Sequence, residues 1–175
     1  MVVQVDPTGE VFTFEGEETI SIEVLEPTRE IVLNADEITV RSASLRLADG
    51  STLAPEVRLD GDEETMTLDF GRDVPAGHAK LDIQFDGELN ERLHGFYRSQ
   101  YTGADGQRHY LATTQFESTD ARRAFPCWDE PSLKARFKVT LVIPSGLVAV
   151  SNMPQSSEEA EGNALTRVAF AETPP

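Results

Sequence analysis

Most of the chain alternates apolar and polar residues with a period of two, the pattern of a β-strand with one buried face. The clearest stretch is the one in which Ile20, Ile22 and Val24 alternate with Ser21 and Glu23. The same alternation recurs at residues 38–41, 45–47, 66–70, 81–85 and 137–143. We therefore predict a sheet-rich fold in which one set of side chains is buried and the other faces water or a second layer.

Turn signals separate these stretches. Gly adopts positive φ at little cost, so an Asp-Gly dipeptide favours a tight turn. Four such dipeptides occur, at Asp49–Gly50, Asp60–Gly61, Asp86–Gly87 and Asp105–Gly106. The polar stretch 155–163 (QSSEEAEGN) has the composition of a solvated hairpin loop.

Helical signals are weak throughout the chain. The best local candidate is 119–124, where Thr119 or Asp120 could cap a short turn before Pro126 ends it. Short strands separated by turns indicate an all-β fold, an antiparallel β-sandwich or saddle-shaped sheet pair with short helical turns.

Composition places the chain among soluble globular proteins. It has 175 residues, 39% of them hydrophobic and 26% charged, which suits one domain with a real core. No apolar run approaches the roughly 20 residues that cross a bilayer, and the first residues lack the features of a secretory signal. We expect a cytoplasmic protein without a membrane span. Cys127 is the single cysteine, and we expect it to be a small buried residue rather than a nucleophile.

The net charge of −16 argues against nucleic-acid binding, which needs a basic face. The charge is uneven, because residues 92–138 carry 8 basic and 5 acidic side chains while the remainder is strongly acidic. A solvated acidic surface explains this excess. Adaptation to a salty environment is the alternative, and the salt dependence of folding stability would separate the two.

The segment 113–153 departs from the alternating pattern. It mixes charged residues, among them Arg122 and Arg123, with the aromatic residues Phe116, Phe125 and Trp128. Simple patterning does not account for this composition. We predict that Arg122 and Arg123, with Asp129, Glu130 and Lys134, form a charged network that holds an irregular loop against the sheet.

Several blocks of the sequence together resemble the zinc aminopeptidases of the aminopeptidase-N (gluzincin) family. The blocks are FTFEG at 12–16, IVLN at 31–34, LHGFYRS at 93–99, TQFE at 114–117, DARRAFPCWDEP at 120–131, KARF at 134–137, SNMP at 151–154 and FAETPP at 170–175. They occur in the family's order and cover almost the whole chain. The main departure is Trp128, where the family usually has Phe.

The resemblance implies which part of such an enzyme this chain represents. Neither H-E-x-x-H nor G-x-M-E-N occurs in the sequence, and in the family these motifs belong to the catalytic domain that follows. We expect residues 1–175 to be a single amino-terminal β domain of a longer aminopeptidase, shortened at both ends. Zinc would then bind in the parent enzyme and not in this chain, because the ligands and the general base are elsewhere.

The resemblance also implies a site. In the family, a loop of this domain enters the active site with a Gln-Phe-Glu tripeptide, here Gln115, Phe116 and Glu117. Glu117 would bind the free α-ammonium group of the peptide substrate, and Gln115 would line the pocket for its first side chain. From the residues alone, the favoured interpretation of Glu117 is a surface residue near Arg122 or Arg123.

The sequence therefore leaves two functions open. In the first, the chain is the substrate-gating domain of a zinc aminopeptidase and is inactive alone. Its partners would be peptide substrates, which it would meet together with the catalytic domain that this sequence lacks. In the second, it is a stand-alone β-sandwich interaction module without peptidase activity. A parent that has lost activity, or one that hydrolyses epoxides, is a third possibility. The surface that would meet the catalytic domain could let the isolated chain self-associate.

Overall fold

The computed structural model describes residues 1–9 and 12–175, and almost all regular structure in them is β-strand. The strands are β1 (Val2–Val5), β2 (Thr13–Val24), β3 (Thr28–Asn34), β4 (Ile38–Leu47), β5 (Thr52–Leu53), β6 (Glu56–Asp60), β7 (Thr65–Val74), β8 (Gly77–Glu88), β9 (Gly95–Thr102), β10 (Arg108–Gln115), β11 (Thr140–Pro144), β12 (Gln155–Ala160) and β13 (Leu165–Phe170). A short 3₁₀ helix, Ala121–Arg123, lies between β10 and β11. The predicted all-β class is confirmed.

The strands form three sheets. The large sheet has eight strands in the order β12-β13-β11-β1-β2-β8-β4-β5, a second has the order β3-β7-β6, and β9 pairs with β10 as a hairpin. β1 and β11 run parallel, and every other pair of these strands is antiparallel. The predicted antiparallel sheet architecture is therefore confirmed.

One hydrophobic core joins the large sheet to the three-stranded sheet. The large sheet contributes Leu45, Leu81 and Phe85, and the three-stranded sheet contributes Met66 and Leu68, all of them fully buried. The alternation predicted for residues 66–70 and 81–85 is seen in the burial of these strands. Burying each such side chain contributes roughly 1.5–3 kcal/mol, so this layer is the main source of stability.

Two glycines face phenylalanine rings across β2 and β8. Phe14 pairs with Gly87, and Gly16 pairs with Phe85. A Cβ atom at position 87 would lie 2.1 Å from the Phe14 ring, and one at position 16 would lie 2.3 Å from the Phe85 ring. The prediction of a turn at Asp86–Gly87 is therefore wrong: this glycine lies inside β8 because the ring opposite fills the space of a side chain.

The acidic stretch near the end of the chain also differs from its prediction. Gln155–Ala160 forms strand β12 at the edge of the large sheet, with all six residues exposed, so the hairpin loop predicted for 155–163 is confined to its last residues. An edge strand needs no buried face, and charged residues there discourage further pairing. β11 begins at Thr140, later than the alternation from Phe137 predicts.

The helical content is as low as the sequence indicates. The 3₁₀ helix falls inside the predicted 119–124 turn, but no side chain caps it and Asp120 contributes its backbone instead. Among the described residues, no helix is long and apolar enough to span a bilayer.

Candidate functional site

The two residues singled out for substrate binding lie where the β9–β10 hairpin ends. Gln115 is the last residue of β10 and pairs with Gly95. A turn follows at once, closed by a hydrogen bond of 3.0 Å from the Asp120 N–H group to the Phe116 carbonyl oxygen. Glu117 is the first residue of this turn, and the Glu117–Ser118 peptide bond is cis. Gln115 and Glu117 are both exposed.

Phe116 anchors the turn from the side opposite to these polar residues. Its ring packs edge-on against Phe125, with ring centroids 5.9 Å apart, and Phe125 packs in the same way against Phe137. Phe116 also belongs to the layer of side chains that covers the core. Phe116 is half-buried, whereas Gln115 and Glu117 on either side of it are exposed.

The Glu117 carboxylate makes no ion pair or side-chain hydrogen bond with any residue in 1–9 or 12–175. The pairing with Arg122 or Arg123 that the sequence left open is not formed, because other carboxylates take both guanidinium groups. An exposed carboxylate without a partner is able to accept charge-assisted hydrogen bonds from a cationic ligand.

Arg122 ties this region to the three-stranded sheet. Its Nε atom lies 3.1 Å from Asp129 Oδ2, and its Nη1 atom lies 3.0 Å from Glu64 Oε2. Its carbonyl oxygen accepts a hydrogen bond of 3.0 Å from the Asp36 N–H group. The guanidinium group is largely buried, so these contacts are screened by water much less than a surface pair.

Arg123 is the centre of a larger ionic cluster. Its guanidinium group contacts Asp36 at 2.5 Å, Asp120 at 3.1 Å, Glu37 at 3.2 Å and Glu64 at 3.3 Å. Burial alone would lower the pKa of the guanidinium, but these carboxylates outweigh it and raise the pKa above its usual value. Arg123 therefore stays charged and holds several segments together.

The predicted network is confirmed for Arg122, Arg123 and Asp129 but not for the other two members. The Glu130 carboxylate accepts a hydrogen bond only from the nearby Ser132 N–H group, and Lys134 makes no ion pair within the described residues. The members that sequence reasoning missed are Asp36, Glu37, Glu64 and Asp120. Three of them lie more than 50 positions before Arg123 in the chain, so no local spacing could have linked them.

Gly95 lets the hairpin approach the 3₁₀ helix. Its φ is +70°, and a Cβ atom there would lie 2.7 Å from the Cβ of Arg123. Because Gly95 is paired with Gln115, this close approach fixes the end of β10 against the ionic cluster. The sequence signal for it is the glycine of the LHGFYRS block, which other residues could replace only with strain.

The loop before β9 is shaped by Asn90, which is buried. Its Nδ2 atom donates to the His94 carbonyl oxygen at 2.9 Å, and its Oδ1 atom accepts from the Arg92 N–H group at 2.7 Å. This loop brings His94 Nδ1 to 3.2 Å from Asp120 Oδ1. The segment that leads into β9 thus also approaches the turn that follows β10.

Cys127 is half-buried rather than fully buried, and its backbone pairs with the end of β3. Its backbone forms a two-way bridge with Asn34, with N–O distances of 2.7 and 3.0 Å. Burial, with the nearby charge of Asp129, raises the pKa of the Cys127 thiol to about 12. A thiol with this pKa carries almost no thiolate at neutral pH, which disfavours a role as a nucleophile.

No group of three or more His, Cys, Asp or Glu residues in the described ranges has an arrangement that could hold a metal ion. The described residues therefore do not fit a zinc site. Two clefts lie away from Gln115 and Glu117. One of about 440 Å³ lies over β2, β4 and β8 and is lined by Thr19, Ser44 and Asp82, and neither Gln115 nor Glu117 lines it.

Comparison with known proteins gives one consistent result. The family model described as the peptidase M1 N-terminal domain matches residues 2–175. The chain is 47% identical over 162 residues to Aminopeptidase M1-D of rice (Oryza sativa subsp. japonica) and 45% identical over 166 residues to Aminopeptidase M1 of Arabidopsis thaliana. These alignments cover 92% and 93% of this chain but 18% and 19% of the relatives. Aminopeptidase N of Acetobacter pasteurianus is 38% identical over 91% of this chain and 44% of that protein.

Proposed function

The chain belongs to the peptidase M1 N-terminal domain family, and on this basis we propose that it is the amino-terminal, substrate-gating domain of a zinc-dependent aminopeptidase acting on peptides in the cytoplasm. Its relatives are named aminopeptidases, and the chain corresponds to about a fifth of the length of the plant ones. The catalytic zinc and the general base would then belong to the remaining part of the parent protein. The isolated chain would be inactive.

Within this proposal, Glu117 binds the free α-ammonium group of the substrate and Gln115 lines the pocket for the first side chain. The supporting observation is the Glu117 carboxylate itself, which is exposed, has no partner in the described structure and is carried by a turn anchored on both sides. A fixed carboxylate identifies a peptide's first residue because only that residue has a free α-ammonium group. A blocked terminus would leave the carboxylate without its partner and would be rejected.

The expected size of this effect follows from the chemistry. A hydrogen bond to a charged group contributes about 1.5–3 kcal/mol, which corresponds to roughly 10- to 150-fold in binding. Gln115 is neutral and exposed, so we expect it to influence which first side chain is preferred and to have a smaller effect on overall affinity.

A second feature supports the view that this domain meets another part of the protein. In the segment after β11, Leu147 and Ala149 pack on the core while Val148 and Val150 are 88% and 82% exposed. Adjacent exposed β-branched residues suit a covered surface better than a solvated one. We propose that the remainder of the parent covers them, and that the isolated chain self-associates through them at high concentration.

Steady-state kinetics of the full-length protein on an aminoacyl reporter test the function. We expect the full-length protein to hydrolyse the reporter and the isolated chain to leave it intact. Glu117→Ala should raise KM by roughly 10-fold or more. Glu23→Ala is the matched control, since Glu23 is an exposed carboxylate of β2 without an ion pair or side-chain hydrogen bond in the described structure. Wild-type kinetics in Glu117→Ala would defeat the assignment of Glu117, and a coding sequence that stops after Pro175 would favour the stand-alone module.

A further inference from the structure

We propose that Asp120 is a positioning residue that fixes the turn carrying Glu117, and thereby sets the place of the carboxylate that binds the substrate's ammonium group. This inference rests on the proposed function of Glu117. It goes further because it assigns a role to a residue that does not itself face the substrate. Asp120 acts twice, through its backbone and through its side chain.

The backbone of Asp120 closes the turn. Its N–H group donates to the Phe116 carbonyl oxygen at 3.0 Å, and its own carbonyl oxygen accepts from the Arg123 N–H group at 3.2 Å. Glu117, Ser118 and Thr119 lie between the two ends of the closing hydrogen bond and are exposed. Within the described structure, the side chains of these three residues make no hydrogen bond. The position of Glu117 therefore depends on Phe116 and Asp120, the residues at the two ends.

The side chain of Asp120 fixes its own end. Its Oδ1 atom accepts a hydrogen bond from Arg123 Nε at 3.1 Å and lies 3.2 Å from His94 Nδ1. The hydrogen bond comes from the 3₁₀ helix, whereas His94 approaches from the loop before β9 without forming a hydrogen bond to Asp120. With only 22% of its side chain exposed, Asp120 is held more firmly than a surface carboxylate.

Arg123 is in turn held by groups that do not belong to the turn. Asp36 and Glu64 contact its guanidinium group from the loop after β3 and the turn before β7, and Gly95 packs against its Cβ atom. A short series of direct contacts thus connects the three-stranded sheet to the turn that carries Glu117. On the other side, Phe116 is fixed by Phe125. The turn is therefore held by aromatic packing at Phe116 and by ionic contacts at Asp120, which connects the turn to the Arg123 cluster.

A charged hydrogen bond to a ligand depends on the placement of the carboxylate, so loosening its support weakens ligand binding without removing the chemical group. Replacing Asp120 by Asn keeps the size of the side chain and the backbone N–H group but removes the negative charge that pairs with Arg123. We expect Asp120→Asn in the full-length protein to raise KM for an aminoacyl reporter about 3- to 10-fold while kcat changes less than about 2-fold.

A double-mutant cycle separates positioning from general destabilisation. Glu117→Gln, Asp120→Asn and the double variant are compared by kcat and KM, with Asp82→Asn as the control. Asp82 is also an ion-paired carboxylate, bound by Arg46 and Thr19 in the large sheet. If Asp120 acts through Glu117, its substitution should raise KM in the wild type but have no further effect in the Glu117→Gln background. Asp82→Asn should leave KM unchanged.

The possible results distinguish the inference from the function on which it rests. Additive effects of the two substitutions on KM would overturn the positioning role, as would an equal change in Asp82→Asn. A normal KM in Asp120→Asn together with a raised KM in Glu117→Gln would overturn it while leaving the proposed function intact. A normal KM in Glu117→Gln would defeat the proposed function itself.

Discussion

Glu18 is an acidic residue on the core-facing side of the large sheet, and its removal should stabilise the domain. It lies on β2 between Gly16 and Ile20, on the same face as Phe14, and directly opposite Ile83 of β8. Its side chain is half-buried overall, but the Oε1 atom is buried and has no hydrogen-bond partner in the described structure. Such a carboxyl group favours its neutral form, because charge is costly away from water.

The sign and size of the effect follow from its pKa. Burial raises the pKa of Glu18 from 4.5 to about 8, although the nearby amino-terminal ammonium group acts in the opposite direction. Between these two values the folded state binds more protons than the unfolded state, so stability falls as pH rises from about 4.5 to about 8. At about 1.4 kcal/mol per pH unit, the loss reaches about 3 kcal/mol at pH 7 and is complete above pH 8.

Glu18→Gln should remove this loss. Urea unfolding can be followed by the fluorescence of Trp128, the single tryptophan, which packs against the core. We expect the variant to be more stable than the wild type by about 3 kcal/mol at pH 7, and the two to converge near pH 4.5. Glu17→Gln is the matched control, because Glu17 is the exposed neighbour on the opposite face of β2. If wild type and Glu18→Gln show the same stability difference at every pH, the carboxyl is solvated and the reasoning fails.

Two further predictions concern the packing of the core and the thiol. Gly87→Ala should lower the free energy of unfolding in urea by about 1–3 kcal/mol, because its Cβ atom would overlap the Phe14 ring. Gly61→Ala is the control and should change stability little, because the space around Gly61 is open. Equal effects of the two substitutions would contradict the packing. Cys127 should react with a thiol reagent at pH 8 much more slowly in the folded than in the unfolded protein, because burial raises the thiol pKa to about 12. Equal labelling rates in the folded and unfolded protein would contradict this.

Sequence reasoning succeeded where a residue's environment is set by its neighbours in the chain. The alternation in residues 66–70 and 81–85 placed the correct face in the core, because a strand repeats every two residues whatever it pairs with. The Asp105–Gly106 turn is also as predicted, with a hydrogen bond from the Gly106 N–H group to the Gly103 carbonyl oxygen. Both features depend on local geometry alone.

It failed where the partner is distant in the chain. Gly87 has the sequence of a turn, but the Phe14 ring opposite it makes the glycine part of a strand. Asp36 and Glu64 look like ordinary surface acids until the three-stranded sheet brings them to Arg123. In both cases the environment of the residue depends on which distant segment the fold places beside it. The local pattern of residues does not specify that segment.

For the candidate site, the resemblance identified Gln115 and Glu117, while the structure supplies their surroundings. Neither the Phe116 anchor nor the contact between Asp120 and Arg123 follows from the composition of the segment. The predicted ionic network included Glu130 and Lys134 because they are near in sequence, but in the structure their charges lie outside it. The role of Glu117 itself remains a prediction about the full-length protein.

The most direct test of that role compares two competitive inhibitors of the full-length protein that differ only in a free amino group. We predict that the wild type binds the amine-bearing inhibitor roughly 10- to 150-fold more tightly than the counterpart in which hydrogen replaces the amino group, and that Glu117→Gln loses most of this preference. An undiminished preference in Glu117→Gln would show that another group recognises the amine and would contradict the account.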